Sequence, residues 1–197
     1  FLLILSTLSI WLAEVGISKT MIGLFAWVSI PYTLKFLWGP MVDNVKLPVL
    51  TKYLGLRRSW ILLAQLCLWV TLVALGNTDP MRNLAATALF ALLVGCSSAI
   101  QDIAVEAYRI ECLPQDKIGI GASVSVLGYR IGMLCSGAGT IFLAAYFANW
   151  GRAYNCIATC MLIGIVTTIC SAEPLITRHV TRIELWSSVK SFVQKRD

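Results

Sequence analysis

Apolar residues in this chain do not alternate with polar ones. They come in long runs separated by short stretches rich in Lys, Arg, Asp, Gly and Pro. Six runs stand out: Phe1 to Ala13, Met21 to Trp38, Trp60 to Gly76, Leu84 to Tyr108, Ile120 to Phe147 and Tyr154 to Ala172. A helix needs about 20 mostly apolar residues to cross a bilayer. Only helices and closed barrels satisfy the backbone in lipid, and runs without period-two alternation predict helices. The pattern therefore predicts an all-α membrane protein with six transmembrane helices over residues 1–172. The first run is short and reads as truncated at its front. The fifth is long enough to imply tilt or an extension beyond the bilayer. Pro31 predicts a bend in the second.

After Pro174 the pattern changes. Leu185, Val189 and Phe192 recur at helical spacing, with Lys190 and Lys195 on other faces. Residues 173–197 thus read as an amphipathic helix on the inner membrane surface; a solvated linker is the alternative. Six spans followed by a basic segment are half of a common twelve-helix plan, so this segment is expected to lead to a missing second half.

Composition agrees. Of the 197 residues 58% are hydrophobic and 13% charged, against about 25% charged in soluble domains; the mean hydropathy is +0.77. Lys46, Lys52, Arg57, Arg58, Arg109, Lys117 and the five basic residues of the tail fall on one side of the expected membrane. Lys19, Arg82 and Arg152 fall on the other. The crowded side is cytoplasmic by the positive-inside rule. The net charge of +6 is then a consequence of topology and gives no reason to expect nucleic acid. No signal-peptide pattern is present. The seven cysteines form no CxxC pair, and the single histidine, His179, lies in the tail, so no metal site and no cofactor are expected. Trp38, Trp60 and Trp150 read as interfacial anchors.

Charges inside the runs carry the chemistry. Asp102, Glu106 and Arg109 are spaced four and three apart and share one helix face, which Ser98 and Gly95 continue inward; Gln101 lies beside it. A charge at the bilayer centre costs about 2.5–3.5 kcal/mol on insertion scales, so this stripe should face a cavity or partner helices. Glu106 and Arg109 are near enough to the cytoplasmic end to reach the interface. Asp102 sits on the order of 10 Å deeper. Arg130, the second deep charge, falls at similar depth in the fifth run. Gly121, Ser125, Gly128, Gly132, Ser136 and Gly139 form a small-residue ribbon on that run, expected to pack against another helix. Arg130 is roughly 160° from Gly132 on a helical wheel and is expected to face a cavity. There it would bind an anionic substrate group, with Asp102 or Glu106 carrying a proton and Gln101, Ser98 and Tyr32 lining the path. A static Asp102–Arg130 or Glu106–Arg109 pair is the alternative. Lys35 reads as a snorkelling cation. Glu14 is an entry residue or an interfacial charge.

The loop after the second run, GPMVDNVKLPVLTKYLGLRRSW, has Gly39, Asp43, Gly55, Arg57 and Arg58. An acidic-then-basic loop can bridge two helix ends and break when they separate. It resembles the conserved loop of the major facilitator superfamily, with Asn44 to Leu54 as an insertion. That resemblance implies a cytoplasmic gate made by Gly39, Asp43, Arg57 and Arg58, with Arg109 nearby. IGLFAWVSIPYTLKFLWGPMVD, QDIAVEAYRIECLP and GASVSVLGYRIGMLCSGAG together resemble AmpG-type muropeptide permeases and, more distantly, acetyl-CoA transporter-like proteins. The resemblance implies the N-terminal half of a proton-coupled importer of anhydromuropeptides in the bacterial inner membrane. Its partners would be substrate, protons, lipid and a C-terminal six-helix half. A truncated or split-gene half that does not transport, or a carrier of another bulky anion such as acetyl-CoA, stays open. An intramembrane enzyme using Asp102 and Glu106 would lack a histidine in a span and a nucleotide loop.

Overall fold

The computed structural model describes residues 3–174. The amphipathic helix expected after Pro174 lies outside the described residues. The architecture is all-helical. A short apolar helix, α1 (Leu3–Glu14), precedes four helices long and apolar enough to cross a membrane: α6 (Leu56–Gly76), α7 (Leu84–Cys112), α8 (Gln115–Phe147) and α9 (Trp150–Cys170). These match the first and the third to sixth apolar runs, with ends shifted by a few residues.

The second run differs. It is not one helix but a series of single turns: α2 (Lys19–Phe25), a tight 3-10 turn (Ala26–Ser29), α3 (Ile30–Thr33), a second tight turn (Lys35–Leu37) and α4 (Gly39–Asn44). Pro31 and Pro40 stand in the first turns of α3 and α4. Neither has an N–H for the helical ladder, so each marks a restart rather than a continuation. The segment is held from outside: a Cβ on Gly95 of α7 would come within 3.0 Å of the Val28 carbonyl. Only the lack of a side chain there lets α7 approach the broken backbone so closely.

α6 is the centre of the packing, against α7 on one side and α9 on the other. Two apolar clusters hold the bundle. The larger joins Leu8, Trp11 and Leu12 of α1 to Leu68, Leu72 and Leu75 of α6, Ala91 and Val94 of α7, and Tyr154 and Ala158 of α9. The smaller joins Val42, Trp60, Ile61 and Ala104. Trp60 is 5% exposed and its indole donates to the Val45 carbonyl at 2.9 Å; it is a core residue and not a lipid-interface anchor. At the outer end Trp150 stacks on Trp11, 6.3 Å between centroids, and donates to Glu14 at 2.6 Å. Glu14 is thereby a link between α1 and α9.

α8 stands apart. Its long first part, Ile118–Leu134, has no buried residue. A Cβ on Gly128 or Gly132 would meet nothing within 4 Å. Among the described residues, the small-residue ribbon meets no packed neighbour at these two positions. The helix continues through a wide turn, Cys135–Gly139, and only its last part, from Thr140, packs against α9.

Candidate transport site and gate

The cavity that concerns function lies between α3, α7 and α8. Tyr32, Ser98, Asp102, Tyr129, Gly132, Met133 and Ser136 line it, and its volume is about 150 Å³. The i, i+4 spacing of Ser98 and Asp102 places both on the wall that α7 presents. Asp102 is half-buried and accepts a hydrogen bond of 2.5 Å from the Tyr32 hydroxyl. Lys35, one turn further on, has its ammonium 5.9 Å from the Tyr32 ring centroid, within cation–π range. A carboxylate from α7 thus meets a phenol from α3, with an amine beyond the phenol ring.

The other expected site residues are placed as follows. Gln101 is half-buried beside the cavity and is not among its lining residues. Arg130 is exposed on α8, and its neighbour Tyr129 takes the cavity-facing position. Gly132 and Ser136, expected on the packed side, line the cavity. Glu106 and Arg109 pair with each other at 3.6 Å, with the Glu106 side chain 59% exposed; an exposed pair of this kind contributes about 0–1 kcal/mol. The ion pair of Arg109 is with Glu106, whereas the acids that meet Arg57 of the loop motif are Asp43 and Glu111.

That motif does assemble. The insertion folds out of the way as one helical turn, α5 (Leu50–Leu54), stabilised by reciprocal bonds between Leu47 and Thr51. Arg57, its side chain 10% exposed, donates through Nη1 to Asp43 at 2.6 Å. Its Nε reaches both oxygens of Glu111 at 3.0 Å and its Nη2 reaches Oε1 at 2.5 Å. One guanidinium therefore ties α4, α6 and α7 together by a fork geometry that Lys cannot reproduce. Gly39 begins α4, and a Cβ there would meet nothing.

Arg58 works in the opposite direction. Its side chain donates to the carbonyls of Thr168 at 3.0 Å and Ile169 at 2.5 Å, in the last turn of α9. In return Glu173 accepts from the backbone N–H groups of Arg57 at 3.0 Å and Arg58 at 3.3 Å, in the first turn of α6. Each helix end leaves backbone groups without intrahelical partners, and here each helix caps the other. Glu111 and Glu173 escaped sequence reasoning. Both read as interfacial acids just inside or past a span, and only the packing register shows what they meet. Among the described residues no three His, Cys, Asp or Glu side chains come together as a metal site.

Comparison with known proteins accounts for this arrangement. The sequence profile described as acetyl-coenzyme A transporter 1 matches residues 11–83. The anhydromuropeptide permease of Escherichia coli K12 is 36% identical over 176 residues, 89% of this chain and 35% of that protein. A Rickettsia conorii protein carrying the name AmpG 4 is 35% identical over 190 residues, 94% of this chain and 46% of its own length. The chain spans about half the length of such relatives, or less. An all-helical membrane protein, similar in sequence to helical permeases over about half their length, is the class of protein these observations define. Within that class, the chain is more specifically similar to AmpG-type permeases, at about 35% identity over the part of those relatives that it covers.

Proposed function

We propose that this chain forms the N-terminal six-span half of a proton-coupled importer of anhydromuropeptides in the bacterial inner membrane. The observation that carries the reading is Asp102: a carboxylate deep in a membrane-spanning helix, facing a polar cavity rather than lipid. A buried acid at such a depth is a proton carrier in many pumps and transporters. Six traverses are supported by the ends of the chain segments: Glu14 lies at the Trp150 end of the bundle and Asp43 at the Arg57 end, as a broken but crossing Lys19–Asn44 segment would require.

The cavity admits a few waters at about 30 Å³ each. A site for a drug-sized ligand is on the order of 300–1,000 Å³. The substrate site is therefore completed elsewhere, by opening and by the C-terminal half that faces the uncovered side of α8. Arg130 lies on that helix and supplies the cation for an anionic group of the substrate. Ser98 lines its path with Gln101 beside it, and Glu106 is the second candidate for the proton. Asp43, Arg57 and Arg58, with Gly39 and the nearby Arg109, form the cytoplasmic gate. Acetyl-CoA, the solute named by the matching profile, is also a bulky anion and is the competing substrate.

The test uses the transporter that contains this chain, in liposomes with labelled anhydromuropeptide. Asp102→Asn is expected to abolish accumulation driven by a pH gradient while leaving substrate exchange intact. Driven uptake at the wild-type rate would remove Asp102 from the mechanism. Preferential uptake of acetyl-CoA would reassign the substrate.

A further inference from the structure

Tyr32 stands where the membrane-spanning backbone is least continuous. α3 is one turn, with tight turns before and after it and Leu34 outside the helical region at φ −85°, ψ 21°. Tight turns inside a helix often mark a hinge, and a broken ladder lets one turn rotate without unwinding its neighbours. Across the cavity Asp102 belongs to α7, an unbroken helix of 29 residues. The 2.5 Å bond between them therefore joins a movable turn to a fixed rod.

From this we infer that Tyr32 is a latch on Asp102. With the latch closed, the phenol donates to the carboxylate and stabilises its charged form. When α3 turns away, Asp102 loses that donor, opens to the cavity and takes a proton. Protonation then disfavours the return of the latch, because a neutral carboxyl accepts a weaker hydrogen bond than a carboxylate. Proton occupancy and the position of α3 are thereby coupled. The inference rests on the proton role of Asp102 and adds the element that switches it. Tyr32 is then a positioning residue, not a direct substrate ligand.

The other groups around Asp102 are few. Lys35 lies behind the Tyr32 ring, Tyr129 faces the cavity from α8, and Glu106 with its partner Arg109 lies further along α7. Arg130 is next to Tyr129 in sequence but outside the cavity lining. The hydroxyl of Tyr32 donates directly to Asp102, so its removal should be legible in a pH profile.

The experiment compares Tyr32→Phe, Asp102→Asn and the unaltered transporter in liposomes, measuring both exchange and gradient-driven uptake across pH. Tyr32→Phe is expected to keep exchange. Its driven uptake should persist to higher pH than that of the unaltered transporter, because the variant lacks the donor that favours the carboxylate. An alkaline limb that stays in place or moves down, while Asp102→Asn is uncoupled, overturns the latch and leaves the proton role standing. Loss of exchange in Tyr32→Phe also overturns it, in favour of a brace between helices. Driven uptake by Asp102→Asn at the wild-type rate overturns both readings.

Discussion

Single residues here are chosen by what surrounds them more than by their own class. Gly55 and Gly16 have nearly the same φ, +83° and +85°, in the positive range that favours glycine. Their surroundings differ. A Cβ on Gly16 would meet open space, whereas one on Gly55 would collide with the Glu173 carboxyl that caps α6. Gly16→Ala is expected to lose only the backbone term, about 1–3 kcal/mol. Gly55→Ala loses that and displaces Glu173 as well. Thermal unfolding in detergent should therefore show the larger drop for Gly55→Ala, and equal drops would deny Glu173 its capping role.

Residue roles were legible where they depend on spacing along one helix. Ser98, Asp102, Glu106 and Arg109 share a face because a helix repeats every 3.6 residues, and that much needs no partner. What each meets was not legible. Tyr129, Glu111 and Glu173 join their sites by the register between helices, which a lone sequence does not carry; the sequence places Tyr32 on the path, but does not show its bond to Asp102. Arg130 shows the same limit. Its depth could be counted, but the rotation of α8 puts Tyr129 and not Arg130 on the cavity.

At the scale of elements, apolar run length predicted most of the helices, because lipid rewards nothing else so strongly. It failed at Lys19–Asn44, where prolines and the close approach of Gly95 break a run of suitable length into turns. The Arg57 fork is the main polar link between elements. A charge left unpaired in a largely buried setting is strongly destabilising, so Arg57→Gln should leave Glu111 worse placed than before. Adding Glu111→Gln should then restore part of the loss. A double-mutant cycle on thermal stability is expected to give a coupling of about 1–3 kcal/mol, and additive losses would show that the two side chains do not depend on each other.

The whole molecule is unevenly consolidated. α6 is covered on two sides, while Ile118–Leu134 of α8 has no buried residue. Regions with few buried contacts open at lower free energy. Hydrogen exchange of this chain alone in nanodiscs should therefore be faster in Ile118–Leu134 than in Leu56–Gly76. If the proposed second half covers α8, the difference should narrow in a longer protein that contains both. Equal protection in the isolated chain would mean that α8 needs no such cover.

The reciprocal caps between α6 and α9 have a mechanical consequence. Arg58 and Glu173 join the two helices at one end, Thr168 and Gln65 join them further in, and Asn77 and Asn155 join them at the other end. Two helices fastened in this way behave as one lever about 30 Å long, at 1.5 Å per residue. A tilt of about 10° around its middle moves each end by about 2.6 Å, a helical length converted by simple geometry. Added along the line of the 2.6 Å contact between Arg57 and Asp43, that travel would carry the pair beyond ion-pair distance, so a small rocking of one lever would suffice to part α4 from α6.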